Sequence, residues 1–301
     1  MIVYLKHSEI DKDQWDACIA ASPRFKPYAF SWYLDIMSPG WEALVDDDYD
    51  SVFPVPARER YGIKYIATPM FLQQLGAYSP DKPEESVIDE YIEYMPEFYR
   101  LIDLCIGQKI SNKSYSVTEK VNYELDLSSS YETLWKNFDP ACRRNIEKSM
   151  RVKLKITNDI EPDELISLFK LMKENLARKV KERDFSRLLT LIQYCLKKGK
   201  GIISGVRDKT GKIIFGQFIL KLPGHINLLF GVNTPESREN RINYFYINEI
   251  IREYAGKKLT LDFAGSSVPS VGSFMSSFGA VDKPYYRIYR NTLPLPIRWI
   301  K

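Results

Sequence analysis

Apolar positions recur along this chain with two periods, and the change from one to the other marks out its elements. After a short strand near Ile2 to Leu5, a helix starts at about Asp11, with Trp15, Cys18 and Ile19 at helical spacing. Phe30 to Met37 forms a second short helix, stopped by Pro39-Gly40. From Ala43 the period becomes two. Ala43 to Val45, Ser51 to Pro56 and Ile63 to Ile66 alternate as antiparallel strands, joined by the acidic turn Asp46-Asp47-Asp48 and the turn at Arg60-Tyr61-Gly62. Phe71 to Tyr78 is a further extended segment, with Gln73 and Gln74 side by side. A helix from Pro83 to about Tyr94 precedes strands at Tyr99 to Ile106 and Val121 to Leu127.

The second half repeats this order behind a helical lead-in. Tyr131 to Phe138 and Pro140 to Arg151 are helices, the latter with Asp139 as N-cap and Pro140 at its first position. After a strand at Lys153 to Thr157, the helix Pro162 to Lys179 carries the stripe Leu165, Phe169, Met172 and Leu176, and another helix is capped by Asp184. Gly201 to Val206, Ile213 to Lys221 and Ile226 to Val232 are antiparallel strands. A helix from Tyr244 to Tyr254 follows, then a buried strand at Leu259 to Phe263. The chain continues into the small-residue turn Gly265-Ser266-Ser267, a helix after Pro269 with Phe274 and Phe278 four apart, an exit through Gly279, and a last strand from Tyr285 to Tyr289. Hairpin strands, a crossover helix and a further strand, occurring twice, predict an α/β fold with mixed sheets.

Charge divides the same two halves. Residues 1–130 hold 12 Lys and Arg against 22 Asp and Glu, whereas residues 131–301 hold 31 against 17. Two domains are therefore expected, 1–130 and 131–301, the second suited to an anionic partner. No run of about 18 apolar residues is present, so no membrane-spanning helix is predicted, and a cytoplasmic location is expected. The four cysteines are widely spaced and only two histidines accompany them, which argues against a metal site, a disulfide framework or a histidine-based triad. One histidine, His225, is expected in a hairpin turn beside Gly224.

Several residue groups carry candidate chemistry. Arg143 and Arg144 begin a cationic stripe with Lys148 and Arg151 that suits phosphate groups, although a solvated helix face gives the same pattern. Arg238 and Arg241 precede a helix and are a candidate cofactor or anion site. Asp103 and Asp262 stand at strand ends, where a carboxylate orients a nucleophile, acts as a base or caps a turn. Neither a GxxxxGK[ST] loop nor a strand-linked GxGxxG is present, so nucleotide hydrolysis and dinucleotide redox chemistry lose support.

The order of Asp139-Pro140 with Arg143-Arg144-Asn145-Ile146, then Asp262-Phe263, Gly265-Ser266, Pro269, Phe274 and Phe278-Gly279, and a tyrosine-rich last strand, resembles the Fem family of peptidoglycan-bridge aminoacyltransferases and related GNAT-like N-acyltransferases. Gln73-Gln74-Leu75-Gly76 also fits. The resemblance implies two tandem GNAT-like domains with an acceptor groove between them. It also implies direct attack of an acceptor amine on an activated acyl group, with acyl-CoA or aminoacyl-tRNA as donor substrate and no tightly bound cofactor. The acceptor class it implies is a small amine or a cell-wall precursor. On this reading Ser266, Tyr286 and Asp262 are catalytic, and Arg143, Arg144, Gly265, Ser267, Gln73, Gln74 and Tyr285 bind substrate. Two positions depart from the family pattern: Met275 stands where bridge-forming members carry a lysine, and Arg241 and Asn243 replace the glycines of a pyrophosphate loop after Arg238. Two other readings stay open, a non-catalytic RNA-binding protein and an acyltransferase fold kept as a complex subunit.

Overall fold

Asp11 accepts hydrogen bonds from the backbone N–H groups of Asp13 and Gln14, both at 3.1 Å, and so starts the first helix where the pattern places it. The structure, a computed structural model, describes residues 1–301 apart from 47, 83, 153, 154, 173–177, 179, 266, 267, 296, 300 and 301. The chain forms two compact units, Met1–Lys120 with Pro284–Lys301, and Val121–Lys283.

Unit 1 contains β1 (Ile2–Leu5), α1 (Lys12–Ala21), α2 (Ser31–Met37), β2 (Glu42–Asp46), β3 (Val52–Val55), β4 (Ala57–Arg60), β5 (Ile63–Ala67), α3 (Glu84–Glu93), β6 (Leu101–Ile106) and β7 (Ser116–Lys120). Unit 2 contains β8 (Tyr123–Asp126), α4 (Tyr131–Lys136), α5 (Pro140–Met150), β9 (Ile156–Thr157), α6 (Pro162–Met172), α7 (Glu182–Lys197), β10 (Gly201–Arg207), β11 (Ile213–Leu222) and β12 (His225–Asn233). It continues with α8 (Pro235–Glu239), α9 (Ile242–Tyr254), β13 (Thr260–Asp262), α10 (Pro269–Ser276) and β14 (Val281–Asp282). The last strand, β15 (Tyr285–Asn291), belongs to unit 1.

Each unit is built as the sequence order suggests. In unit 1 the strands β1-β2-β3 form one sheet and β4-β5-β6-β15-β7 another, in which only β5 and β6 run parallel. Unit 2 has one sheet, β14-β8-β13-β12-β11-β10-β9, in which only β12 and β13 run parallel. In both, an antiparallel hairpin leads through a helix (α3 or α9) to a parallel neighbour. The fold is thus α/β with mixed sheets.

The partition differs from the expected boundary at 130/131. β8, expected in the first domain, lies between β13 and β14 in unit 2, whereas β15, expected in the second domain, lies between β6 and β7, pairing Tyr286 with Ile106 and with Glu119. These pairings join residues far apart in sequence, so no local pattern announces them. The division also reduces the charge contrast: unit 1 carries 16 Lys and Arg against 20 Asp and Glu, and unit 2 carries 27 against 19.

Other local departures have physical causes. Asp139 occupies the N-cap position of α5 without a side-chain cap bond; instead its backbone N–H donates to the Ser277 carbonyl at 2.9 Å. α7 begins at Glu182, with Asp184 inside its first turn. The loop before α9 forms its own short helix, α8, capped by Thr234, whose side chain accepts from the Ser237 N–H. β7 was not expected, because its residues are almost all exposed and show no apolar alternation. His225 opens β12, opposite Leu222 and Thr260, rather than occupying a turn. Leu176, Lys153 and Lys179 lie outside the described residues.

In unit 1, Trp15, Tyr28, Tyr33 and Trp41 are fully buried, and the Trp15 and Trp41 ring centroids lie 4.7 Å apart. In unit 2, Phe278 is fully buried and meets Phe138 edge-on at 5.2 Å and Phe274 at 5.3 Å. Burying one such ring contributes about 2–3 kcal/mol. This aromatic layer sets α4, α9 and α10 against the sheet and holds the segment after β13 in place.

Candidate functional site

The parallel strands of unit 2 part company early. β13 pairs with β12 only at His225, Ile226 and Asn227, whereas β12 runs on to Asn233 with β11 as its only strand partner among the described residues. The chain leaving β13 turns toward β8 instead, where the Phe263 N–H donates to the Tyr123 carbonyl at 3.0 Å. Among the described residues, one edge of β12 from Leu228 to Asn233 therefore has no strand beside it, and a strand edge is a row of backbone donors and acceptors.

The corresponding divergence in unit 1 is filled. Beyond Ala67 and Asp103 the edge of β6 is taken up by the following loop: the Thr68 hydroxyl accepts from the Cys105 N–H at 2.7 Å. The Leu75 N–H donates to the Cys105 carbonyl at 2.9 Å, and the Gly107 N–H donates to the Leu75 carbonyl at 2.8 Å. Gln73 and Gln74 belong to this plug; the Gln74 amide donates to the Gln73 carbonyl oxygen at 3.1 Å. Gly76 is required there, because a Cβ would lie 2.3 Å from Oε1 of Gln108, whose amide pairs with Ala77. The two glutamines thus lie in the loop whose Thr68 and Leu75 fill the gap in unit 1.

At the open end of β12, three short pieces of chain converge. Gln217 of β11 lies across Gly231, where a Cβ would come within 2.2 Å of its Oε1, and its amide donates to the Phe230 carbonyl at 3.0 Å. Just beyond, Asn233 Oδ1 and Ser237 Oγ are buried oxygens with no hydrogen-bond partner among the described residues. Buried polar atoms are nearly always satisfied, so orphans at a strand end mark a place for water or a ligand. Arg238 donates to the Asn233 carbonyl at 3.0 Å, and Arg241 donates to the Arg238 carbonyl at 3.3 Å. Both arginines thus stiffen this corner while remaining exposed. Arg241 is held at φ 58°, a left-handed conformation that costs a non-glycine residue about 1 kcal/mol or more.

Tyr244, in the first turn of α9, lies beside this corner, 4.8 Å from the Phe274 ring. Burial pushes its phenol up, reinforced by Cys142, while the Arg241 guanidinium and a hydrogen bond from Asn145 pull it down. It is a neutral O–H donor at physiological pH. Asn145 brings α5 to the same point. On α5, Arg143 is half-buried and Arg144 exposed, and neither guanidinium has a hydrogen bond or ion pair among the described residues.

Asp262 has a structural duty. Only 2% exposed, it accepts from the Ala264 N–H at 2.8 Å and the Asn122 amide at 3.1 Å. These bonds hold Ala264 and Gly265 in successive left-handed conformations, φ 57° and 56°. Ser266 and Ser267 lie outside the described residues. Met275, 8% exposed, is part of the apolar core, so the position where the resembled family carries a lysine faces inward here.

The remaining sequence candidates lie in unit 1. Tyr285 and Tyr286 are half-buried on β15, and burial pushes the Tyr285 phenol up to about 12. Asp103 takes both nitrogens of Arg287 at 2.6 Å each, a bidentate ion pair rather than a free base. All four cysteines are free, and burial raises every thiol, Cys18, Cys142 and Cys195 to about 12, so none is a thiolate nucleophile near neutral pH. Among the described residues no cluster of metal-ligating side chains exists and no helix is long and apolar enough to cross a membrane.

No protein-family model matches the chain, and no curated protein matches it in sequence. Solved structures do. The crystal structure of FemX superposes with a TM-score of 0.63 at 11% identity, covering 92% of this chain and 96% of that one. The chain has a Fem-like fold. The same arrangement recurs in the C-terminal DUF2156 domain of a putative lysylphosphatidylglycerol synthetase from Agrobacterium fabrum, with a TM-score of 0.56, 9% identity and coverage of 93% and 92%. A conserved protein of unknown function from Bacteroides thetaiotaomicron gives a TM-score of 0.56 at 14% identity, covering 96% and 100%. The Fem-like fold agrees with the resemblance carried by the sequence motifs.

Gln217, Asn233, Ser237 and Tyr244 were not singled out from sequence. The available signal was Gly231, a glycine inside a mostly apolar strand, which marks a bulge or a close approach.

Proposed function

We propose that this protein is an N-acyltransferase whose reaction takes place in unit 2, at the open end of β12. The observation that carries this reading is the divergence of β12 from β13, with the orphan oxygens of Asn233 and Ser237 at its end. An acyl group laid along that edge meets backbone donors on one side and the Tyr244 phenol on the other. The acceptor amine attacks the acyl carbonyl carbon, a C–N bond forms, and the bond to the donor's leaving oxygen or sulfur breaks. The amine proton passes by way of the Tyr244 phenol to the leaving atom, so the phenol ends the cycle as it began. No cysteine or histidine is needed, in keeping with the raised thiols.

The donor we favour is an aminoacyl ester on tRNA. Unit 2 carries net positive charge, 27 Lys and Arg against 19 Asp and Glu, and exposes Arg144, Arg238 and Arg241. The positions of a pyrophosphate-binding glycine loop hold Arg241 and Asn243 instead. Arg143 and Arg144 take an anionic part of a substrate. With Met275 in the core, the charge of the tetrahedral intermediate falls to Tyr244 and the strand edge.

The test is a transfer assay with purified protein and a panel of amine acceptors, run separately with aminoacyl-tRNA and acyl-CoA donors. Tyr244→Phe is expected to lower kcat about 100-fold, and Arg241→Ala to raise KM for the tRNA donor. Salt-dependent tRNA binding without transfer to any acceptor makes the protein a binding module instead, and transfer unaffected by Tyr244→Phe overturns the assigned role.

A further inference from the structure

A cavity in unit 2 lies toward the end of α9 opposite Tyr244, over β9, β10 and β11. It has a volume of about 400 Å³, within the range of small-molecule sites. α9 is 13 residues long, so this cavity is separated from the open corner of β12 by most of a helix of about 20 Å. The two places are independent, and so are their tests.

The lining has two kinds of surface. Ile156, Ile202, Ile219 and Ile250 form an apolar wall, with Ile219 and Ile250 almost wholly buried. The Ser204 hydroxyl lies in this wall and shares a short hydrogen bond with the Tyr246 phenol. Charged groups of both signs stand at the rim. Arg252 is already committed: it donates to Glu249 at 2.8 Å and to the Tyr131 hydroxyl at 3.2 Å, with its guanidinium 4.8 Å from the Tyr131 ring centroid. Lys221 and Glu253 are not committed to ion pairs. No salt bridge joins either of them to any group among the described residues, and the Lys221 ammonium stands 5.2 Å from the centre of the Tyr254 ring. Glu253 is exposed at the rim, one residue before Tyr254, and its charge adds to the burial that pushes the Tyr246 phenol up.

One anion and one cation, each without an ion-pair partner, at the mouth of an aliphatic cavity complement a ligand with the opposite charges on adjoining atoms. We propose that this cavity binds a zwitterion with a branched aliphatic side chain, a free α-amino acid of the leucine or isoleucine type. The ammonium pairs with Glu253, the carboxylate with Lys221, and the side chain rests on the isoleucines. A purely anionic ligand leaves Glu253 opposed to it, and a purely cationic one leaves Lys221 opposed.

The four isoleucines are the reporters for the test. Full-length protein labelled at isoleucine δ1 methyl groups is titrated with L-leucine, with 4-methylpentanoate, which lacks the ammonium, and with 3-methylbutylamine, which lacks the carboxylate. L-Leucine is expected to shift the methyl resonances of Ile156, Ile202, Ile219 and Ile250 saturably, and each truncated ligand to bind at least about tenfold more weakly. Glu253→Gln and Lys221→Met, both at the rim, are expected to weaken leucine binding about tenfold each, with unchanged melting temperatures. The proposal is overturned if leucine produces no saturable shift at up to about 50 mM, if all three ligands titrate alike, or if neither substitution matters.

Discussion

Replacing Asp262 by Ala separates a structural carboxylate from a catalytic one. Asp262 is 2% exposed and accepts from the Ala264 N–H at 2.8 Å and from the Asn122 amide at 3.1 Å. Asn122 is itself fully buried. Hydrogen bonds to a charged acceptor contribute about 1.5–3 kcal/mol each, so losing both costs about 3 kcal/mol or more. In a unit the size of Val121–Lys283, that lowers Tm by about 6–12 °C. Asp262→Asn keeps an acceptor oxygen in place and is expected to cost about 1 kcal/mol. The assay is calorimetric melting of the three proteins alongside their transfer rates. An Asp262→Ala protein that melts with the wild type yet has lost all transfer refutes the reasoning and returns the carboxylate to the chemistry.

Three further outcomes are expected. Gly205→Ala puts a Cβ 2.1 Å from the Phe215 carbonyl oxygen, a backbone atom that cannot swing away, so the protein is expected to lose at least about 3 kcal/mol in urea unfolding. Stability is expected to fall with alkaline pH: Cys18, Cys142 and Cys195 stay protonated in the fold up to about 12, whereas the unfolded thiols ionise near 8.5. The unfolded state then binds fewer protons, so stability is full below about pH 8.5 and declines between about 9 and 12, more gently in a Cys142→Ala protein. The same burial predicts that native protein reacts slowly with a disulfide reagent at neutral pH, and quickly once unfolded, as followed by thiolate release.

Much of the fold is legible in the chain because its strands alternate cleanly between glycine-bearing turns. The readings Gly201 to Val206, Ile213 to Lys221 and Ile226 to Val232 come within a residue or so of β10, β11 and β12. What escapes local pattern is long-range pairing. Ser116–Lys120 is a polar strand with no alternation, identifiable only through β15, and Tyr289 meets Ser116 across most of the chain. The exchange of β8 and β15 puts Tyr285 and Tyr286 in unit 1, whereas the motif that precedes them in sequence belongs to unit 2. The site was legible in part. Arg238 and Arg241 do stand at the open corner, because a proline-led turn after an apolar strand has to bring its polar residues to the strand's end. The opening itself was hidden: β12 is mostly apolar between His225 and Asn233, and nothing in its composition says that β13 stops beside Asn227. The stop is made by the Asp262 carboxylate, which turns the chain at Ala264.

The claim that the open edge of β12 holds the donor is tested most directly by hydrogen–deuterium exchange with a stable, amide-linked aminoacyl-tRNA analogue, and with an acyl-CoA thioether in parallel. Protection is expected in peptides covering 228–241, from one of the two donors, with the loop 68–78 of unit 1 unchanged. Protection confined to unit 1, or none in 228–241 with either donor, contradicts the account.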